Sequence, residues 1–281
     1  SSFSFQPTGK DRHGIYTITP EEFISESSLI IEAISFAQIT TGSIENVLLV
    51  KDMEISEYPH NLLLNLSNEF VFKTTPITNI LSTEWYLFNS PKKDLTESLS
   101  KSIWIPTSAG DFTLNLLFSN IESILTNFDF QIQNSIKVES PLNSDINIVS
   151  SHGGDDISKV KVIYPDSTPI HDLDQIIGKG KILIFFVCYS GTQSTSFFKN
   201  GVSSFVKEFI SQGYQAIIAP AWRLHIDVVP VWLPVFLESI ANKETISIAH
   251  HKACLAVYSK FPTPAAWACL HLFGNPNLQI I

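Results

Sequence analysis

The six residues Ile182 to Val187 are all apolar, β-branched or aromatic, and the run stops at Cys188, with Gly191 three residues further on. A strand apolar on both faces has no side to turn to water. It belongs inside a sheet covered on both sides, which is the setting of a parallel sheet. A second such run, Ile146-Asn147-Ile148-Val149, leads through Ser150-Ser151 to His152, Gly153 and Gly154. In parallel α/β sheets functional groups collect where strands leave their carboxyl ends. Two neighbouring strands ending in His and Cys put an imidazole and a thiol on one rim, which is the equipment of nucleophilic cysteine catalysis.

The flanking segments fit that architecture. Thr19-Pro20-Glu21-Glu22 has the signature of a helix start, with Thr as N-cap and Glu closing a capping box. Val47 to Val50 and Glu69 to Phe72 read as strands, and the polar stretch Ser90 to Asp94 as a linker. Ser102 to Pro106 reads as a strand. Leu114, Leu117, Phe118, Ile121, Leu125 and Phe128 recur at helical spacing. After the His152 strand come a short strand near Val160 to Tyr164, the Cys188 strand, and a helix from Val202 to Ile210 stopped by Gly213. Gln215 to Pro220 is another buried strand, Val231 to Ala241 and Ile246 to Ser259 are helices, and Trp267 to Phe273 is the last strand. The expected fold is α/β, a mostly parallel sheet flanked by helices, divided into a lobe over 1–95 and a second over 96–281.

Composition removes several alternatives. Six basic against thirteen acidic groups in the first 100 residues hold seven of the nine net negative charges, and the only arginines are Arg12 and Arg223. There is no basic stripe for nucleic acid. Three cysteines, Cys188, Cys254 and Cys269, with no CxxC spacing argue against a disulfide framework or a zinc site and for a reducing, cytoplasmic setting. His250 and His251, adjacent on a helix, point apart and do not share a metal, so no metal or cofactor is called for. No apolar run reaches the length of a membrane span, and no signal-peptide pattern opens the chain. The start Ser1-Ser2-Phe3, without Met, reads as a piece of a longer chain.

The chemistry assigns roles. A thiol attacks carbonyls only as thiolate, and a neighbouring imidazole draws off its proton and later protonates the departing amine. Cys188 is thus the nucleophile and His152 the acid/base, with no third side chain required. The backbone N–H groups of Gly153 and Cys188 are the oxyanion donors. Cys254 and Cys269 read as core. A nucleophile elbow needs glycine two residues before and after the nucleophile, and here those positions are Phe186 and Ser190.

His-Gly at one strand end followed by Cys-x-x-Gly at the next resembles the caspase-like cysteine peptidases. The stretch Gly213 to Trp222, Asp227, and the ending Ala265 to Gly274 resemble the CHAT subgroup, bacterial relatives of separase usually joined to helical repeats. Val47 to Met53 and Tyr58 to Leu62 are similar to the same group, so the resemblance covers about residues 45 to 281. It implies a pseudo-caspase lobe over 1–95, a catalytic lobe over 96–281, and a separate sensor or repeat module as regulator. It also implies a protein substrate in bacterial defence or regulated cell death, such as a gasdermin-like or CRISPR-linked partner. The chain departs from caspases, which carry Gln-Ala-Cys-x-Gly and arginines for an acidic P1 residue. Metacaspases hold an Asp where this chain has Phe186. Asp227 matches the separase position that receives a P1 arginine, and it also suits an N-cap for the next helix. Trp222 stands either at the wall of that pocket or in the core. An apolar pocket of Phe185, Phe186 and Trp222, preferring Leu, is the alternative. A pseudopeptidase scaffold and a cysteine-dependent transferase or amidase are the competing functions.

Overall fold

A computed structural model describes residues 45–51, 59–63, 69–89, 99–155, 161–166, 168–170, 172–188 and 205–279, with the short pairs 9–10, 16–17, 194–195 and 202–203. The expected helix start at Thr19, the linker at Ser90 to Asp94 and Gly191 lie outside the described residues. The pairs are two small antiparallel ladders, β1 (Gly9–Lys10) with β2 (Tyr16–Thr17), and β10 (Ser194–Thr195) with β11 (Val202–Ser203).

The remaining strands form one sheet of nine. They are β3 (Val47–Leu49), β4 (Ile77–Asn79), β5 (Lys101–Trp104), β6 (Gln131–Gln133), β7 (Ile146–Asp155), β8 (Lys161–Tyr164), β9 (Ile182–Val187), β12 (Ala216–Pro220) and β13 (Leu270–Gly274). Their order is β3-β4-β13-β12-β9-β7-β5-β6, with β8 paired to the far end of β7. The strands β6, β5, β7, β9 and β12 run parallel, and β13 is antiparallel to β12. Strands from the first 95 residues therefore extend the same sheet, joining at Phe273 opposite Asn79.

Both faces are covered, as the apolar strands require. One face carries α2 (Phe112–Asn127), α4 (Val229–Ala241) and α5 (Ile246–Lys260), packed on Ile148, Ile184, Phe186 and Ile218. The helix α2 buries Leu114, Leu117, Ile121 and Leu125, a single stripe at helical spacing. On α4, Trp232 and Phe236 stack with centroids 4.6 Å apart. The opposite face packs Phe185, Leu183 and Ile217 under α3 (Phe205–Ser211).

Asn147 fixes the register. Its side chain is fully buried at the amino end of β7. Its Oδ1 accepts from Ser102 Oγ on β5 (2.7 Å) and from Ser144 N (3.0 Å). Its Nδ2 donates to Ser144 O, to Lys179 O and to the Tyr214 hydroxyl (2.7 Å). Burial pushes the Tyr214 phenol up to about 12, so it stays a neutral bonding partner. A fully bonded buried amide holds one arrangement, because any slip leaves polar groups unpaired.

Some local readings are corrected. Val71–Lys73 is a 3-10 turn and not strand: Phe72 is pinned in the core, and Lys73 and Thr74 donate back to Phe70 and Val71. The closing strand starts at Leu270. Trp267 instead ends a short helix, α6 (Pro264–Trp267), entered at a proline in its first turn, and Cys269 lies between the two. The helix α1 (Thr83–Asn89) and strands β4 and β6 had no clear periodicity in the sequence. The helix read from Val202 begins at Phe205.

Candidate active site

Strands β7 and β9 pair in parallel with a constant offset, from Ile146 opposite Ile182 to Ser151 opposite Val187. His152 and Cys188 each lie one residue beyond the last pair of this register. Parallel neighbours at one register level point to the same face of the sheet. His152 and Cys188 therefore share the face that carries α2 and α4. The amide of Asn147 at the other end of β7 sets this alignment.

Gly153 explains why the two strands can approach so closely there. A Cβ at this position would collide with the Cys188 carbonyl oxygen and lie 2.5 Å from Val187 Cγ1. Gly153 stands opposite Ile163 of β8. Ile163 exchanges both its backbone bonds with Ile170 (3.3 and 2.8 Å). In an antiparallel ladder a residue bonded to one neighbour faces the other as a non-bonded pair. The N–H of Gly153 thus turns away from β8, toward the Cys188 side.

His152 has a partner that the sequence reading did not supply. Its Nε2 donates to Asp111 Oδ2 at 2.6 Å. Asp111 is the N-cap of α2, and its Oδ1 accepts from Leu114 N at 3.0 Å. The imidazole is 46% exposed and the carboxylate 15%. An ionised carboxylate only accepts, so Nε2 carries the proton and Nδ1 is the nitrogen left free to take one. The loop that ends at Asp111 follows β5, the strand beside β7. Its one visible sign in the sequence is the N-cap position just before the apolar stripe of α2.

The thiol of Cys188 is half-buried. Burial raises its pKa, opposed by the backbone N–H of Leu224 and by the charge of Arg223. Both residues come from the loop after β12, the strand on the other side of β9. Arg223, one of the chain's two arginines, is exposed and was not singled out by its spacing. Cys254 and Cys269 are buried, and burial lifts both thiols further.

Asp227 lies on the same loop and is 47% exposed, with Oδ2 3.6 Å from His225 Nδ1. It does not cap α4. The N-cap there is Val228 in helical conformation, without a side-chain bond. Trp222 is not at a pocket wall: its ring is buried and its Nε1 donates to Ala265 O at 2.8 Å. Phe185 and Phe186 are buried too, so those three side chains do not form an open apolar pocket. Neither do His250 and His251 share a ligand. His251 Nε2 is bonded to Phe72 O (2.6 Å), and burial drives His250 down to about 3. Among the described residues no group of three or more His, Cys, Asp or Glu side chains could hold a metal, and no helix is long and apolar enough to cross a membrane.

No protein-family model matches the chain, and no curated protein matches it significantly by sequence. Solved structures do match. Separase in the Saccharomyces cerevisiae separase–securin complex aligns over 94% of this chain with a TM-score of 0.58 and 16% identity. A second structure of that complex gives 0.59 and 14%. The chain spans only 17% of the length of the first separase chain. RgpB of Porphyromonas gingivalis aligns over 91% of this chain and 70% of its own, with a TM-score of 0.55 and 12% identity. A further structure of the Arg-specific cysteine proteinase gingipain R matches equally well, at 0.55 and 11%. At such identities the shared property is the architecture: the chain has the caspase-like α/β fold of separase and gingipain R.

Proposed function

We propose that this chain is a cysteine endopeptidase in which Cys188 is the nucleophile and His152 the acid/base. The observation that supports this reading is the register of β7 and β9, whose last pair, Ser151 opposite Val187, directly precedes His152 and Cys188, with Asp111 bonded to the imidazole. In the reaction, His152 Nδ1 takes the thiol proton and the sulfur adds to the peptide carbonyl. The oxyanion is met by the N–H groups of Gly153 and Cys188. The imidazolium then protonates the departing amine, leaving a thioester. Water, deprotonated by His152, hydrolyses the thioester and restores the thiol. Asp111 holds the imidazole in the tautomer this sequence needs and stabilises the imidazolium.

The finer reading rests on motif resemblance: a CHAT-type peptidase of a bacterial defence or cell-death system, cleaving one protein partner under control of a sensor module. The division at about residue 95 belongs to that reading, and every proposed catalytic side chain lies beyond it. Asp227 is the proposed floor of a P1 pocket for Arg or Lys, supported by its exposure and by the absence of a capping bond. A peptidyl electrophile should label Cys188 in the wild type and not in Cys188→Ala. Labelling of Cys254 or Cys269 instead would remove the assignment, and labelling without peptide cleavage would favour the transferase or amidase reading.

A further inference from the structure

The strands β12, β9, β7 and β5 are consecutive in the sheet, and this order gives the site a direction. The loop after β12 carries Arg223, Leu224 and Asp227, β9 delivers Cys188, β7 delivers His152, and the loop after β5 delivers Asp111. If Cys188 attacks and His152 protonates the departing amine, the amine leaves on the His152 side. The acyl part of a peptide then lies over the loop after β12, and the leaving-group part over the loops after β5 and β6.

Two apolar side chains stand exposed on that leaving-group side. Phe112, the first residue of α2, is 78% exposed. It is the chain neighbour of Asp111, so its Cα lies about 3.8 Å from that of the residue that holds His152. Ile136, on the loop after β6, is 37% exposed. That loop is tied to the loop after β5 by Thr107 N donating to Asn134 O (2.9 Å) and Trp104 Nε1 donating to Ser135 O (2.9 Å). The other large apolar side chains exposed among the described residues are Leu48, Val50, Leu87 and Phe88, all in the N-terminal part. Nothing in the packing of α2 calls for an aromatic ring at position 112, because its buried stripe begins at Leu114.

We infer that Phe112, with Ile136 on the adjoining loop, determines specificity on the leaving-group side, selecting an apolar residue at the first or second position after the cleaved bond. This deepens the cysteine-peptidase reading and rests on it. An apolar side chain entering such a contact discriminates by about tenfold or more against Gly.

The test digests a proteome-derived peptide library with the full chain and sequences the new amino termini. The best-cleaved peptide is then remade with Gly, Leu, Phe or Asp after the cut. Wild type should favour Leu and Phe over Gly in kcat/KM by about tenfold. Phe112→Ala should bring that ratio close to one, and Phe112→Leu should keep most of it. The preference before the cut should be the same in all three. A wild type indifferent to the residues after the cut, or a Phe112→Ala variant that keeps the preference, overturns this inference while leaving the peptidase intact. A wild type that cleaves no library member overturns the peptidase reading, and the inference with it.

Discussion

Asp111 and His152, 41 residues apart in sequence, are joined by a 2.6 Å hydrogen bond between Oδ2 and Nε2. The other oxygen of the same carboxylate caps α2. One side chain therefore ties the amino end of a helix to the imidazole of the site.

The two jobs of Asp111 can be separated. Asn is as good an N-cap as Asp, so Asp111→Asn should keep the melting temperature near that of the wild type. Its amide, however, can donate to Nε2 and favour the wrong tautomer. The expected loss in kcat is roughly 100-fold or more. Asp111→Ala should lose activity and in addition about 1 kcal/mol of stability. Wild-type kcat in Asp111→Asn would show that the bond is only structural.

The thiol of Cys188 is raised by burial, so in the free protein it is protonated at neutral pH. Alkylation by iodoacetamide should climb with pH through and beyond the ordinary thiol range near ~8.5, without a plateau at neutrality. Arg223→Ala removes a charge that opposes the rise, so its profile should shift to still higher pH. A neutral plateau in the wild type would mean that thiolate and imidazolium already coexist.

Gly153 admits no side chain. Gly153→Ala pushes a methyl group into the Cys188 carbonyl and Val187. Overpacking of this kind costs about 1–3 kcal/mol and moves the backbone that carries Cys188. Urea unfolding should show the loss, and electrophile labelling of Cys188 should slow in parallel. Gly154→Ala is the control, because its Cβ would meet only the flexible ring of Tyr164 at 3.3 Å.

Acid should weaken the fold through its buried histidines. Burial lowers the pKa of His250 to about 3 and those of His60 and His271 well below their ordinary value. For a base with a depressed native pKa, the unfolded chain binds more protons. Stability is then complete above about 6.5 and falls as pH drops toward the native value, by up to about 1.4 kcal/mol per unit for each such histidine. Urea midpoints measured from pH 7 to 4.5 should decline, and His250→Leu should flatten the decline. A midpoint independent of pH in this window would contradict neutral burial.

Because Asp227 caps nothing, Asp227→Ala should leave the melting temperature unchanged. On fluorogenic peptides varying only the residue before the cut, the wild type should prefer Arg or Lys, and the substitution should abolish that preference. A Leu preference untouched by Asp227→Ala would end the pocket assignment.

What the sequence made visible was what packing dictates locally. The run Ile182 to Val187 is legible because a strand buried on both faces leaves no other pattern, and α2 because its stripe repeats at 3.6 residues. Glu69 to Phe72 was misread because a short apolar run looks the same in a strand and in a turn that pins one ring. Trp267 was misread because the apolar run continues through the break between α6 and β13. The bond of Asp111 to His152 was invisible for a different reason: nothing in a polar loop announces a partner 41 residues away, and the bond exists only once β5 and β7 are in register. Trp222 carried a motif resemblance, but resemblance does not report whether a ring faces solvent or core.

The sheet order also acts as a measure. Strands lie about 4.8 Å apart, so the four from β5 to β12 span about 14 Å, the length of about four residues of extended chain. On the proposed function, a polypeptide drawn across this rim is read over roughly two residues on each side of the cut. So short a text recurs many times in any proteome. If the chain acts on a single protein, the choice is made by surfaces that hold that protein beyond the reach of these four strands.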